Sequence, residues 1–187
     1  ELAQAIGLSR TPVREALIEL SKAKIVEIWP QRKSTIALVD YDLVEESCFM
    51  RETLEDAVAE RCCQLDVSYH LIWFQENLKL QKFYLENRSA VKLWELDDAF
   101  HRKLFTIANL THVYSLMDSM TVHFDRVRAM SLSTVKDLKT VEDHQKIVQA
   151  IMDHDAPTAR QFMHAHLTRY QIDKETIRNA YPQYFKD

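Results

Sequence analysis

Glycine is almost missing from this chain: Gly7 is the only one among 187 residues. Hairpins, bulges and tight turns lean on glycine for left-handed backbone, so its scarcity argues against extended sheets. One glycine and four prolines together favour helices joined by short polar turns. The three cysteines, Cys48, Cys62 and Cys63, are odd in number and two are adjacent. That does not fit a disulfide framework and points to a reducing, cytoplasmic setting. No apolar run approaches the length of a membrane span, and no signal peptide is visible. The first residue is Glu1 rather than Met, so further residues are expected to precede it.

What is present is a core-forming composition, 47% hydrophobic, with an uneven charge. The whole chain carries −4, but residues 1–38 carry +2, from Arg10, Arg14, Lys22, Lys24, Arg32 and Lys33 against Glu1, Glu15, Glu19 and Glu27. A mildly basic segment on an acidic body fits a nucleic-acid-binding module joined to something else.

Residues 1–28 read as two or three short helices. Leu2, Ala5 and Ile6 form one stripe, and Gly7 ends it as a C-terminal cap would. Ser9 or Thr11 can cap the next helix, Pro12 is tolerated in its first turn, and Val13, Ala16, Leu17 and Leu20 supply its predicted buried face. The stretch IVEIWPQRKSTIALV is rich in β-branched residues around a polar centre and predicts a two-stranded wing. From Asp40 onward, amphipathic segments at about 40–65, 67–87, 89–109, 111–131, 135–154 and 156–180 predict long helices with short connections. The fold class is therefore mainly all-α. A winged helix-turn-helix over 1–38 precedes an antiparallel bundle of about six helices over 39–187.

The segment ELAQAIGLSRTPVREALIELSKAKIVE resembles the helix-turn-helix of GntR-type regulators, whose signature matches most closely from Ser9 to Leu17. The resemblance implies double-stranded operator DNA as partner. A recognition helix presents its N-terminal residues to base edges in the major groove. Arg10, Thr11 and Arg14 lie there, on the face away from Val13, Ala16 and Leu17. Arg can pair bidentately with guanine, and Ser or Thr can reach base or phosphate. By resemblance Ser9, Arg10, Thr11 and Arg14 contact DNA, and Gln31, Arg32 and Lys33 of the wing approach phosphates or the minor groove. The family has glycine after the recognition helix and in the wing, where this sequence has Lys24 and Lys33. It also has a helix before the position of Glu1, so the reading module is expected to be truncated at its start.

The acidic body holds a second pattern. In VKLWELDDAFHRKLFTIAN, Asp97 and His101 fall one turn apart within the stripe of Leu93, Trp94, Phe100, Leu104, Phe105 and Ala108. His144 lies on the face of Val141, Ile147, Val148 and Ile151. His166 lies on the face of Ala159, Phe162, Met163, Leu167 and Tyr170, with His164 pointing outward. Four ionisable residues on inner faces are costly unless they satisfy one another. A divalent ion would do so for Asp97, His101, His144 and His166, with Zn²⁺ first and Ni²⁺, Mn²⁺ or Fe²⁺ possible for imidazole and carboxylate. The same residues could instead be separate core histidines, each bonded to a backbone carbonyl.

Residues 40–175 resemble the helical sensor (FCD) domain of the FadR-type branch of GntR regulators. The motifs are Asp97 with Phe100-His101, Asp143-His144 with Ala150-Ile151, and His166-Leu167. The resemblance implies a metal in the bundle and a small carboxylate effector upon it. Arg51 stands where the family has Arg followed by Leu-Glu. It could clamp that carboxylate, or simply pair with Glu55 at i,i+4. Asn109 ends its helix where the family tends to have Asn, and could cap or reach the pocket. His123 is expected to line the pocket or sit satisfied in the core, and Arg126 and Arg128 read as solvated.

These features predict a homodimeric transcription regulator that reads a palindromic operator, not an enzyme. Its rivals are a regulator answering to the ion itself, a purely structural metal, and a metal-dependent hydrolase-like enzyme using an Asp–His₃ centre. Glu55 is the only candidate general base for the last.

Overall fold

The computed structural model describes residues 1–134 and 139–186, apart from the side chains of Tyr170 and Ile172. The expected role of Tyr170 in a buried face, and the expected helix start at 135, therefore lie outside the described residues.

Two short helices open the chain, α1 (Leu2–Ala5) and α2 (Arg10–Lys22). Strands β1 (Val26–Glu27) and β2 (Thr35–Ile36) pair antiparallel, Val26 opposite Ile36, and form the wing. The predicted apolar face of this module is mostly uncovered. Val13 is buried and Leu17 half-buried, while Leu2, Ile6, Ala16 and Leu20 are exposed.

Eight helices follow among the described residues: α3 (Tyr41–Cys62), α4 (Leu71–Glu86), α5 (Ala90–Ile107), α6 (Thr111–Met120), α7 (Val122–Thr134), α8 (Lys139–Met152), α9 (Ala156–Leu167) and α10 (Tyr170–Ala180). Two segments expected to be continuous are divided, at Thr121 and at Thr168–Arg169. Each break falls at a threonine whose hydroxyl bonds back to a carbonyl of its own helix, Asp118 O at 3.4 Å and His164 O at 2.8 Å.

The main core lies where α3 packs on α9, α9 on α8 and α4 on α5, with Phe74, Phe100, Phe105, Ile147 and Met163 at its centre. A smaller core of Val39, Val44, Cys48, Phe124, Val127, Ile177 and Phe185 closes the end nearest the wing. There the C-terminal segment clasps the residues joining the two modules. Val39 N donates to Tyr184 O at 2.7 Å, and Lys186 N donates to Val39 O at 3.0 Å.

Glycine's usual place at helix ends is taken by other residues. Lys24, Arg88, Asn109 and His154 all have φ near +57°, between 56° and 58°. Each follows a helix and closes it with a paired hydrogen bond, as when Lys24 N donates to Ser21 O and Ile25 N to Leu20 O. These are Schellman ends, as is the one at Gly7.

Candidate metal centre and DNA-reading surface

Helical spacing puts Asp97 and His101 on one face of α5, while His144 comes from α8 and His166 from the last turn of α9. The structure brings all four together, with one ligand atom from each inside a span of 4.8 Å. The Nε2 atoms of His144 and His166 are 3.1 Å apart, and those of His166 and His101 are 3.2 Å apart. Asp97 Oδ1 lies 3.5 Å from His144 Nε2. Asp97, His101 and His144 are buried, and the His166 side chain is nearly so.

The outward nitrogens decide what the inward ones can do. His101 Nδ1 meets a carboxylate oxygen of Glu55, and His144 Nδ1 lies 2.8 Å from Gln81 Oε1. Both oxygens accept, so each Nδ1 carries a proton, and in the neutral ring the Nε2 lone pair turns inward. His166 Nδ1 is 3.9 Å from Asp143 Oδ2 and has no hydrogen-bond partner among the described residues. Burial, reinforced by the neighbouring histidines, holds His144 down at about 3 and His166 well below the usual imidazole range, so both are neutral. With no partner for its Nδ1, His166 can carry its proton on Nε2 and donate to His144 or His101; with the proton on Nδ1, all three Nε2 lone pairs face one point. Three imidazoles and one carboxylate are a donor set that fits a divalent cation.

Buried acids around the centre stay ionised. Burial alone would raise the Asp97 carboxyl, but the Arg128 guanidinium outweighs it and holds it well below the carboxylate range. Arg128 Nε donates to Asp97 Oδ2 at 2.6 Å. Glu55 is brought down to about 2, where burial is outweighed by Arg51 and His101. Arg51 Nε donates to Glu55 Oε1 at 2.6 Å, and its guanidinium lies 4.8 Å from the Phe124 ring centre. Arg169 is paired with Asp143. Beside the cluster opens a cavity of about 60 Å³. Arg51, Arg128, Arg169, Asp97 and His166 form its polar wall, and Leu85, Phe124, Leu132 and Leu167 its apolar wall.

At the other end of the molecule, Ser9 precedes α2 in extended backbone and its side chain makes no capping bond. Ser9, Arg10, Thr11 and Arg14 are all exposed at the start of α2, and Arg32 and Lys33 are exposed in the wing. The wing turn is closed by Arg32 N donating to Trp29 O at 3.0 Å. With Pro30 second and Gln31 third at φ 59°, it has the form of a type II turn. The left-handed residue of the wing is thus Gln31 and not Lys33, because proline fixes the turn one step earlier.

A family model described as the FCD domain matches residues 46–169, and one described as bacterial regulatory proteins, gntR family, matches residues 1–36. The chain belongs to the GntR family, FCD-domain type. It is a DNA-binding transcription regulator. It is 28% identical over its whole length, and 82% of the relative's, to the HTH-type transcriptional repressor RspR of Escherichia coli. It is 32% identical to an HTH-type transcriptional regulator in an unstable DNA locus of Streptomyces ambofaciens, over 99% of this chain and 78% of that one. The solved structure of E. coli McbR/YncC shares its fold, with a TM-score of 0.77 and 18% identity, covering 96% of this chain and 85% of that one.

Within this FCD domain, Arg51 pairs with Glu55, and it also lines the cavity. Asn109 does not line it. Asn109 is exposed and closes α5 in left-handed backbone, for which its short amide side chain is suited. Arg128 corrects the solvated reading: its side chain is 11% exposed and grips a candidate ligand. Gln81 was not anticipated. Its signal was there, since Asn77 and Gln81 share the inward stripe of Phe74 and Leu78 on α4.

Proposed function

We propose that this GntR-type regulator holds a divalent metal, zinc first and nickel, manganese or iron as alternatives, on Asp97, His101, His144 and His166, and that a small carboxylate effector binds beside it to modulate operator binding. The metal would supply a positive centre for the effector's carboxylate, and Arg51 would clamp it from the cavity wall. The convergence of the three Nε2 atoms with Asp97 Oδ1, with outward nitrogens of His101 and His144 on Glu55 and Gln81, carries this reading. Ser9, Arg10, Thr11, Arg14, Arg32 and Lys33 contact duplex DNA, and two chains pair to read a palindromic operator. The reading module spans 1–38 and the effector-binding and dimerisation module 39–187. An effector acts by its different affinity for DNA-competent and DNA-incompetent arrangements.

The hydrolase alternative needs a free general base. Glu55 is spent between Arg51 and His101 and held near 2, which disfavours it. The alternative in which the ion is itself the signal is separated by titration. His144→Ala should lose stoichiometric zinc by elemental analysis. Wild-type operator affinity should respond to members of an organic-acid panel in zinc-loaded protein. A variant that keeps full metal would refute the ligand set, and a response to zinc alone would make the ion the signal.

A further inference from the structure

Helix α7 touches both ends of the regulator. On one flank Arg128 bonds Asp97, and Phe124 lies against Arg51. On another, His123 Nε2 donates to the backbone oxygen of Ala23 at 2.9 Å, and Arg126 donates to the oxygen of Ala37 at 2.8 Å. Ala23 ends the recognition helix α2, and Ala37 follows the wing strand β2. The helix is set off from α6 at Thr121, so it is a rod of its own.

These contacts are polar where apolar ones would serve packing better. His123 is buried, and burial pulls the Arg126 guanidinium below its ordinary range. His123 Nδ1 and Arg126 Nη1 have no hydrogen-bond partner among the described residues. Two groups have thus been partly desolvated to make single directional bonds to the reader's backbone. Arg126 and Arg128 lie about 200° apart around the rod, so a turn of α7 driven at Arg128 displaces the opposite flank as well.

We propose that α7 is the transmission rod of this regulator: His123 and Arg126 are positioning residues that hold the recognition helix and wing, and Arg128 ties their position to the ligand state of Asp97. The inference rests on the sensor reading above. Asp97 offers Oδ1 to the histidines and Oδ2 to Arg128. A metal drawing on Oδ1, or an anion competing for Arg128, therefore loads the same salt bridge. By linkage, the reverse coupling must be equal.

Amide hydrogen exchange on the full chain tests this, with Zn²⁺ as the probe. Arg128→Met should speed exchange across residues 20–39 at least fivefold, although Arg128 bonds to none of them. Should that variant fold poorly, Arg128→Met combined with Asp97→Asn removes both charges and should show the same remote effect. Arg126→Met should speed exchange around Asp97, with Arg126→Lys restoring it. Zinc should slow exchange at 20–39 in the wild type and not in Arg126→Met, whose zinc affinity stays within twofold. Changes confined to the neighbourhood of each substitution would overturn the proposal, as would an undiminished zinc response in Arg126→Met. Zinc that binds without remote protection sinks the rod and spares the sensor reading. A remote effect of Arg128→Met in a chain that binds no zinc does the opposite.

Discussion

His144 Nδ1 donates to Gln81 Oε1 at 2.8 Å, and Gln81 in turn commits its amide nitrogen to Asn77 Oδ1 at 2.6 Å. The second bond fixes which end of the amide faces the imidazole, and the first then fixes the tautomer. The Nε2 lone pair of His144 is thereby aimed at its neighbours. Loss of such a partner typically costs 10–100-fold in metal affinity. Gln81→Leu should weaken zinc binding by about that factor, and Gln81→Glu, which keeps an acceptor, should lose less. Competition against a chromophoric chelator measures both. Equal affinity in Gln81→Leu would mean that the tautomer is set elsewhere.

Metal binding to the folded chain alone must stabilise it. At a hundredfold excess over Kd the gain is about 2.7 kcal/mol. For a chain of this size that raises Tm by roughly 5–10 °C. Calorimetry with and without zinc should show the shift in wild type and none in His144→Ala. A wild type indifferent to zinc and to chelator would remove the ion from the folded state.

Much of this site was legible because helical periodicity is strict. Asp97 and His101 share a face by spacing alone, and His144 and His166 sit among Ile147 and Met163, whose burial the pattern fixes. What spacing does not give is which faces meet. Gln81 and Arg128 act across helix pairs, α4 with α8 and α7 with α5, so their partners lie 63 and 31 residues away in sequence. Arg128 looked solvated because an isolated arginine on a mixed face usually is. The helix breaks at Thr121 and Thr168 were not legible, because the same hydroxyl back-bond is made inside an unbroken helix by Thr53, which donates to Phe49 O at 2.8 Å. Amphipathicity reports that the apolar face of α2 can be buried; among the described residues only Val13 of it is.

The Arg128–Asp97 pair is a buried ion pair whose halves are unequal to its whole. Removing one partner strands a charge and costs about 3–5 kcal/mol, while replacing both by neutral groups costs far less. Arg128→Met should therefore lower the urea midpoint strongly, and Asp97→Asn in the same chain should recover much of the loss. If the double variant is as unstable as the single one, packing of the guanidinium, not its charge, is what the site needs.

Base contacts and phosphate contacts leave different signatures. Arg14 is exposed near the start of α2, and its replacement by Ala should cost about 1–3 kcal/mol on a selected operator while relaxing sequence preference there. Arg32→Ala in the wing should weaken all duplexes alike and reduce the salt slope by about 1. Fluorescence anisotropy across a salt series separates the two. Selectivity unchanged in Arg14→Ala would take it off the reading face.

The chain's poverty in glycine leaves stability unclaimed at helix ends. Arg88 sits at φ 56° after α4 and is exposed, as is Lys24 at φ 57° after α2. A side chain in that conformation costs about 1–2 kcal/mol, against roughly 0.5–1 kcal/mol for the extra unfolded-state freedom of glycine. Arg88→Gly and Lys24→Gly should each stabilise by about 0.5–1 kcal/mol in urea unfolding. Asn109→Gly should gain little, since asparagine tolerates this backbone. His154→Gly should gain nothing, because the imidazole holds Cys63 O at 2.7 Å and glycine would forfeit that bond. An Arg88→Gly variant no more stable than wild type would mean that the Schellman end of α4 carries its arginine without strain.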